Sequence, residues 1–182
     1  ENTTGYCLTV YRRRHGDCHA VRSDLISRIE DESERIMQEI GILGAGLIGA
    51  SWATFFAAQG LPVRIYDVND RVKQQALDQS VKNLQRLADL ELLTQQAAAT
   101  AQGNLKSVDS LAELLLDVEY VQESVIEDYE IKADVYRQFE QLAPDTAILG
   151  SSSSGLLMTR MQSVMQHPGR ALIAHPFNPP HL

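Results

Sequence analysis

The residues with the clearest chemical use are three glycines, Gly44, Gly46 and Gly49, which follow the apolar run 40–43. At this spacing the first glycine permits a tight turn after a strand, the second lets the main chain approach a pyrophosphate, and the third lets the next helix pack closely. The same spacing also occurs in turns that bind nothing. Here a strand precedes the glycines, a helix of small residues follows, and a second strand ends in an acid, which favours a dinucleotide-binding turn.

The ends of the following helix and strand predict which dinucleotide binds. The main-chain N–H groups of Leu47 and Ile48 lie at the positive dipole end of the helix, where phosphates bind. Asp67 follows the last glycine at close to the ~20 residues expected of an acid that accepts hydrogen bonds from the adenosine ribose. Because a carboxylate there repels a 2′-phosphate, the predicted cofactor is NAD.

Proton chemistry is suggested by His175 and by the serine run 151–154, each of which directly follows an apolar stretch. Histidine titrates near neutral pH and can accept a proton while a hydride leaves the adjacent carbon. Taken alone, however, a histidine such as His175 is more often structural than catalytic, and a serine run commonly caps the next helix. The position of His175 at a strand end, in a chain expected to bind a hydride acceptor, favours the catalytic role. A Ser-His hydrolase is disfavoured because the chain has no Gly-x-Ser-x-Gly elbow and because that chemistry would not explain the glycines.

These residues need elements to position them, and the hydrophobic pattern predicts an alternation of strands and helices. Such alternation is typical of a doubly wound, mostly parallel sheet of the Rossmann type, in which ligands bind beyond the carboxyl ends of the strands. We expect strands at 40–43, 63–67, 105–108, 118–125, 146–150 and 171–174, and helices at 47–59, 69–90, 94–102, 111–116, 127–142 and 156–162.

Composition excludes several classes of partner. A net charge of −8 argues against nucleic acid or an anionic membrane surface, and no apolar run is long enough to span a bilayer. We therefore expect a soluble, cytoplasmic protein that binds a small-molecule substrate. Residues 1–36 have little apolar periodicity and are expected to form a flexible extension ahead of a domain at 37–182, and the start at Glu1 suggests a fragment or a processed product. The spacing of Cys7, His15, Cys18 and His19 in this extension fits no common zinc pattern, so no metal is expected.

Four ordered motifs, at 44–49, 121–127, 151–156 and 174–179, together resemble the NAD-binding domain of the L-3-hydroxyacyl-CoA dehydrogenase family. The resemblance covers about residues 38–182. It implies that His175 is the base that takes the hydroxyl proton and that Ser154 hydrogen-bonds the substrate oxygen near the nicotinamide. It also implies that Glu127, Lys132 and Asn178 line the cofactor site, with Asp67 on the ribose. From the residues alone, Glu127 and Lys132 would be a surface ion pair at a helix start.

The chain departs from the family in two respects. In the family a glutamate about a dozen residues past the histidine orients it, and a helical second domain completes the site and forms a homodimer. That domain is absent from this chain, which is therefore expected to bind NAD but hardly to turn over. Acyl-CoA members also carry a serine and a lysine where this chain has Asn83 and Leu90.

The substrate is consequently left open by the sequence. Three segments, at 122–124, 154–157 and 175–180, are more similar to the family branch of L-gulonate 3-dehydrogenase (lambda-crystallin) and L-carnitine dehydrogenase. The expected reaction is oxidation of the 3-hydroxy group of an acyl-CoA or of a related free acid. The alternative is a non-catalytic NAD-binding protein, the use to which a crystallin puts this fold.

Overall fold

A computed structural model describes residues 39–182, so the expected extension and its cysteines and histidines lie outside the described residues. The described chain folds into one six-stranded parallel sheet in the order β3-β2-β1-β4-β5-β6. The strands are β1 (Ile40–Leu43), β2 (Val63–Tyr66), β3 (Leu105–Ser107), β4 (Tyr120–Glu123), β5 (Ile148–Ser151) and β6 (Ala171–Ile173). The helices are α1 (Leu47–Ala58), α2 (Asp70–Asp89), α3 (Gln95–Gly103), α4 (Leu111–Leu115), α5 (Tyr129–Leu142) and α6 (Met158–Met161).

The two faces of the sheet carry separate hydrophobic cores, because side chains alternate along each strand. Ile40 and Ile42 of β1 belong to the core that α1, α2 and α3 cover, whereas Leu43 belongs to the core covered by α4, α5 and α6. Helices on both faces of a parallel sheet confirm the doubly wound fold predicted from the sequence. None of the helices between residues 39 and 182 is long and apolar enough to cross a bilayer.

Strand register brings the functional segments to one edge of the sheet. Leu43 pairs with both Tyr66 and Glu123, and Glu123 pairs in turn with Ser151, which pairs with Ile173. The loops that follow these strands therefore all begin at the carboxyl edge of the sheet. The direction of chain progression reverses between β1 and β4, which is where ligands of doubly wound sheets bind.

Four of the helices begin at a polar side chain that accepts a main-chain N–H of the first turn. Such caps satisfy donors that have no partner within the helix, and two of them, Asn69 and Thr94, are residues at which the sequence predicts a helix start. The helix predicted at 111–116 is capped by Ser110. The caps are Asn69, Thr94, Ser110 and Asp128.

Two predicted elements are shorter than expected by more than two residues, and local hydrogen bonds explain where they end. The strand predicted at 118–125 ends at Glu123 because the Val125 N–H donates to the Glu123 carboxylate at 2.8 Å and so turns out of the ladder. The helix predicted at 156–162 is reduced to α6 because the Leu156 and Leu157 N–H groups bond to the Ser153 hydroxyl and the Tyr129 phenol.

Candidate active site at the carboxyl edge of the sheet

The glycine turn is built by close main-chain contacts. Gly44 has φ +94°, and a Cβ there would lie 2.7 Å from the main chain of Ser124. A Cβ on Gly49 would lie 2.0 Å from the Gly44 carbonyl oxygen, so this position must remain small for α1 to pack against the turn. Both contacts require glycine at these positions.

Gly46 differs because it faces open space. It is the N-cap of α1, it supplies no side-chain cap, and the first turn of α1 contains no acidic residue. A Cβ on Gly46 would meet nothing within 4 Å, and the Leu47 side chain is 80% exposed. The first-turn amides, which include those of Leu47 and Ile48, thus lie at an open, positively polarised helix end, and this geometry fits the pyrophosphate of a dinucleotide.

Asp67 connects β2 to this turn. Its Oδ2 accepts the N–H of Ala45 at 2.8 Å and its Oδ1 accepts the N–H of Asn69 at 2.9 Å. A carboxylate offers about four lone-pair sites, so two remain for ribose hydroxyls.

A cavity of about 840 Å³ opens between the ends of β1, β2 and β4 and the start of α5. Its size is typical of a small-molecule site. Both polar and apolar groups line it, which suits an adenosine with its ribose and phosphates. The lining includes Gly44, Gly46, Asp67, Val68, Ser124 and Ile131.

The serine run begins at Ser151, the last residue of β5, and is held mainly by two glutamates. The Ser151 hydroxyl donates to Glu123 Oε2 at 2.6 Å, and the Ser153 hydroxyl donates to Glu127 Oε1 at 2.5 Å. Glu127 Oε1 also accepts the N–H of Ser154 at 3.1 Å and that of Gly155 at 3.2 Å. Ser154 itself is exposed, and its hydroxyl has no hydrogen-bond partner among residues 39–182. Most serines of the run therefore shape the loop, whereas Ser154 is free to meet a ligand.

Glu127 is stabilised in its charged form by this loop. Partial burial alone would raise the pKa of Glu127. The Ser153 hydroxyl, the Gly155 and Ser154 amides and the Lys132 charge outweigh that effect and hold the pKa below its ordinary value of 4.5. The loop thus depends on an ionised Glu127.

Lys132 lies beneath the loop and is only 1% exposed. Its Nζ donates to Glu123 Oε1 at 2.5 Å and lies 3.5 Å from Glu127 Oε2. The pair with Glu127 is therefore not the solvent-exposed pair that the residues alone suggested. A contact between Lys132 and a cofactor stays a prediction, since the side chain points to the two carboxylates.

His175 and Asn178 lie in the segment that follows β6, and both are exposed. The Ala174 N–H donates to the Ser151 carbonyl at 2.8 Å, which holds the segment beside the serine run. Asn178 lines a second cavity of about 230 Å³ with Leu47, Ile48 and Asn83. The structure thus brings Ser154 and His175 to adjacent loops, on the β5–β6 side of the glycine turn.

Sequence reasoning missed two buried polar residues in β4, Gln122 and Glu123, both 0% exposed. Glu123 bonds to Ser151 and Lys132, and Gln122 bonds to Ser152 and to the Ala174 carbonyl. Two adjacent polar residues at the end of an otherwise apolar strand were the available signal, because buried polar groups need partners nearby.

Comparisons with known proteins agree with this geometry. Residues 39–182 match the family model for the 3-hydroxyacyl-CoA dehydrogenase, NAD binding domain. The L-carnitine dehydrogenase of Oceanobacillus iheyensis is 35% identical over 149 residues, which cover 80% of this chain and 46% of that protein. The lambda-crystallin homolog of Mus musculus is 36% identical over 141 residues, which cover 77% of this chain and 44% of that protein.

A solved structure of an enzyme with a related name has the same fold as the described part of this chain. The (S)-3-hydroxybutyryl-CoA dehydrogenase from Ralstonia eutropha superposes with a TM-score of 0.73 at 28% identity, over 79% of this chain and 50% of that one. The chain spans about half the length of the curated relatives it matches. These matches confirm the family resemblance and the NAD-binding domain predicted from the glycine pattern.

Proposed function

Because the chain belongs to the 3-hydroxyacyl-CoA dehydrogenase family and carries its NAD-binding domain, we propose that it is part of an enzyme that oxidises a 3-hydroxy acid to the 3-keto product. One observation carries the proposal. The glycine turn, the exposed Ser154 and the exposed His175 all follow strands whose ends lie at the same edge of the sheet. An alcohol placed at this edge would meet a proton acceptor and a hydrogen-bond donor beside the coenzyme site.

In this proposal the imidazole of His175 accepts the hydroxyl proton of the substrate. The Ser154 hydroxyl donates a hydrogen bond to the same substrate oxygen and orients the carbinol carbon. When bound, NAD supplies the hydride acceptor for that carbon. Glu127 keeps the Ser154 loop in place through the main-chain N–H of Ser154, and Asn178 adds a polar group on the His175 segment.

For the substrate we propose a small free 3-hydroxy acid rather than a thioester. At the positions that resemble the CoA-binding serine and lysine of acyl-CoA members, this chain has Asn83 and Leu90. The Asn83 amide is engaged within the protein, because it donates to Thr54 Oγ1 at 3.2 Å and accepts from Gln79 at 2.8 Å. Leu90 is apolar and 44% exposed, so it offers no charge to a phosphate. The relatives named L-carnitine dehydrogenase support the same choice.

The test is NAD reduction by the complete polypeptide that contains this chain. L-Carnitine, L-gulonate and 3-hydroxybutyryl-CoA are compared as substrates, and we expect turnover with a free acid. The variant His175→Ala should lose at least about a hundredfold in kcat with little change in NAD affinity. His167→Ala is the matched control, because this histidine is exposed and pairs with Glu140 on the surface. Unchanged kcat in His175→Ala would remove His175 as the base, and turnover with the thioester alone would overturn the proposed substrate.

A second candidate is a non-catalytic NAD-binding protein, which the relatives named lambda-crystallin favour. It predicts NAD binding in a calorimeter with no reduction of NAD by any of the three substrates. It also predicts that His175→Ala leaves every measured property unchanged.

A further inference from the structure

Gln122 is a buried residue with a specific set of hydrogen bonds. It lies in β4 and is 0% exposed. Its Nε2 donates to Ser152 Oγ at 2.8 Å and to the Ala174 carbonyl oxygen at 3.3 Å, and its Oε1 accepts the Tyr120 hydroxyl at 2.5 Å. Three of the four hydrogen bonds that the amide can make are therefore formed.

The orientation of this amide is fixed by its partners. The Ala174 carbonyl can only accept, so the NH₂ end of Gln122 must face it. The Tyr120 hydroxyl then donates to the remaining oxygen. Burial raises the pKa of Tyr120 to about 12, so the phenol keeps that proton at neutral pH.

The two groups that Gln122 joins belong to the two proposed catalytic segments. Ser152 is two residues before Ser154, and Ala174 directly precedes His175. Ser152 is also held by Ser124, with the two hydroxyl oxygens 2.8 Å apart. A single side chain in the middle of the sheet thus contacts both segments.

An apolar residue could fill this position without the free-energy cost of removing an amide from water. The neighbouring Glu123 faces the opposite side of the sheet and fixes Ser151, so the packing of β4 does not itself require a second polar residue. We propose that Gln122 is a positioning residue that sets the separation between Ser154 and His175. This inference rests on the proposed function, because it gives that separation a catalytic purpose.

The test compares Gln122→Met with Gln85→Met in the complete polypeptide. Methionine has a similar volume but removes the amide, and Gln85 is an exposed glutamine on α2. We expect Gln122→Met to lose about tenfold to a hundredfold in kcat, counted per NAD-binding site, because misplacement of reacting groups by about 1 Å costs that much. The Kd for NAD should change less than about twofold, since the glycine turn and Asp67 do not contact Gln122. A general loss of folding would instead lower the number of NAD-binding sites.

Ser152→Ala is the second variant, in case Gln122→Met does not fold. It removes one of the two connections and leaves the bond to Ala174, so a smaller loss of kcat is expected. NMR spectra provide a readout that does not depend on turnover. The His175 ring and Ser154 amide signals should both shift in Gln122→Met and in Ser152→Ala, but not in Gln85→Met.

The outcomes separate the two proposals. A wild-type protein that binds NAD but oxidises none of the three substrates refutes the proposed function, and the NMR shifts then still decide whether Gln122 orders both segments. If the wild type turns over and Gln122→Met retains the kcat of Gln85→Met, the positioning role is overturned. Shifts confined to Ser154, with His175 unchanged, would also overturn it.

Discussion

Asp67 accepts the main-chain N–H of Ala45 at 2.8 Å, so the acid at the end of β2 is bonded directly to the turn at the end of β1. The proposed ribose acceptor and the proposed phosphate-binding turn therefore form one unit rather than two independent sites. A second N–H, that of Asn69, holds the other carboxylate oxygen at the start of α2. The carboxylate thus has a structural use in addition to the ligand-binding use proposed for it.

Asp67→Asn should reduce NAD affinity and weaken discrimination against NADP. The amide keeps the size of the side chain and one acceptor oxygen, but it loses the second acceptor and the charge that attracts ribose hydroxyls and repels a 2′-phosphate. We expect the Kd for NAD to rise about tenfold and the Kd for NADP to fall, measured by isothermal titration calorimetry. Asp78→Asn, an exposed aspartate of α2 bonded to Gln74, is the control and should leave both values unchanged. Equal NAD affinity in wild type and Asp67→Asn would show that the carboxylate does not contact the ribose.

Gly46→Ala and Gly49→Ala should separate binding from folding. At Gly46 an added methyl group enters open space in front of α1, so the free energy of unfolding should change by no more than about 1 kcal/mol. The methyl group would occupy the approach of the pyrophosphate, and NAD affinity should fall at least about tenfold.

At Gly49 the methyl group meets the Gly44 carbonyl oxygen at 2.0 Å, so we expect a loss of about 1–3 kcal/mol in the free energy of unfolding. Urea unfolding and calorimetry on both variants measure the two quantities. The opposite pattern, a stable Gly49→Ala or an NAD-binding Gly46→Ala, would contradict the assignment of the two glycines.

Most of the fold could be predicted because it depends on local patterns. The apolar runs before Gly44 and before His175 are short and bounded by turn residues, which identifies buried strands. Capping residues such as Asn69 and Asp128 mark helix starts directly. The glycine turn was also readable, because its function requires a residue type rather than a distant partner.

The polar interior of the site could not be predicted in the same way. Glu123 and Lys132 are nine residues apart in sequence, but the direction of each side chain depends on how α5 packs on β4. The partners of Gln122, which are Ser152 and Ala174, lie 30 and 52 residues away. Such bonds follow from strand order and register, which the sequence constrains only through the whole fold.

Lys132→Met should destabilise the protein strongly. The variant leaves the Glu123 carboxylate buried at 0% exposure without its cation, and uncompensated buried charges cost about 3–5 kcal/mol. The double variant with Glu123→Gln should recover much of that loss, because the charge is then removed as well. Lys106→Met is the control, since Lys106 is 68% exposed in its pair with Glu113 and should cost less than about 1 kcal/mol. Urea unfolding of all variants provides the measurement, and similar losses in Lys132→Met and Lys106→Met would show that the buried pair is not formed.

Glu127→Gln should reduce stability at neutral pH but not at low pH. The hydrogen bonds from the serine loop and the charge of Lys132 hold the pKa of Glu127 below its ordinary 4.5, so folding favours the ionised carboxylate. A carboxylate with a depressed folded-state pKa contributes stability above its unfolded pKa, and that contribution is lost as the pH falls through the folded pKa. The difference between wild type and Glu127→Gln should therefore be constant above about pH 4.5 and shrink below it.

The size of this difference is limited by solvent, because the Glu127 side chain is 42% exposed. We expect the pH-dependent part to be about 1 kcal/mol or less. Urea unfolding of wild type and Glu127→Gln between pH 3 and pH 8 measures it. A difference that persists undiminished at the lowest pH would mean that the neutral side chain shape, rather than the charge, holds the loop. In that case the ordering of Ser154 would be independent of pH.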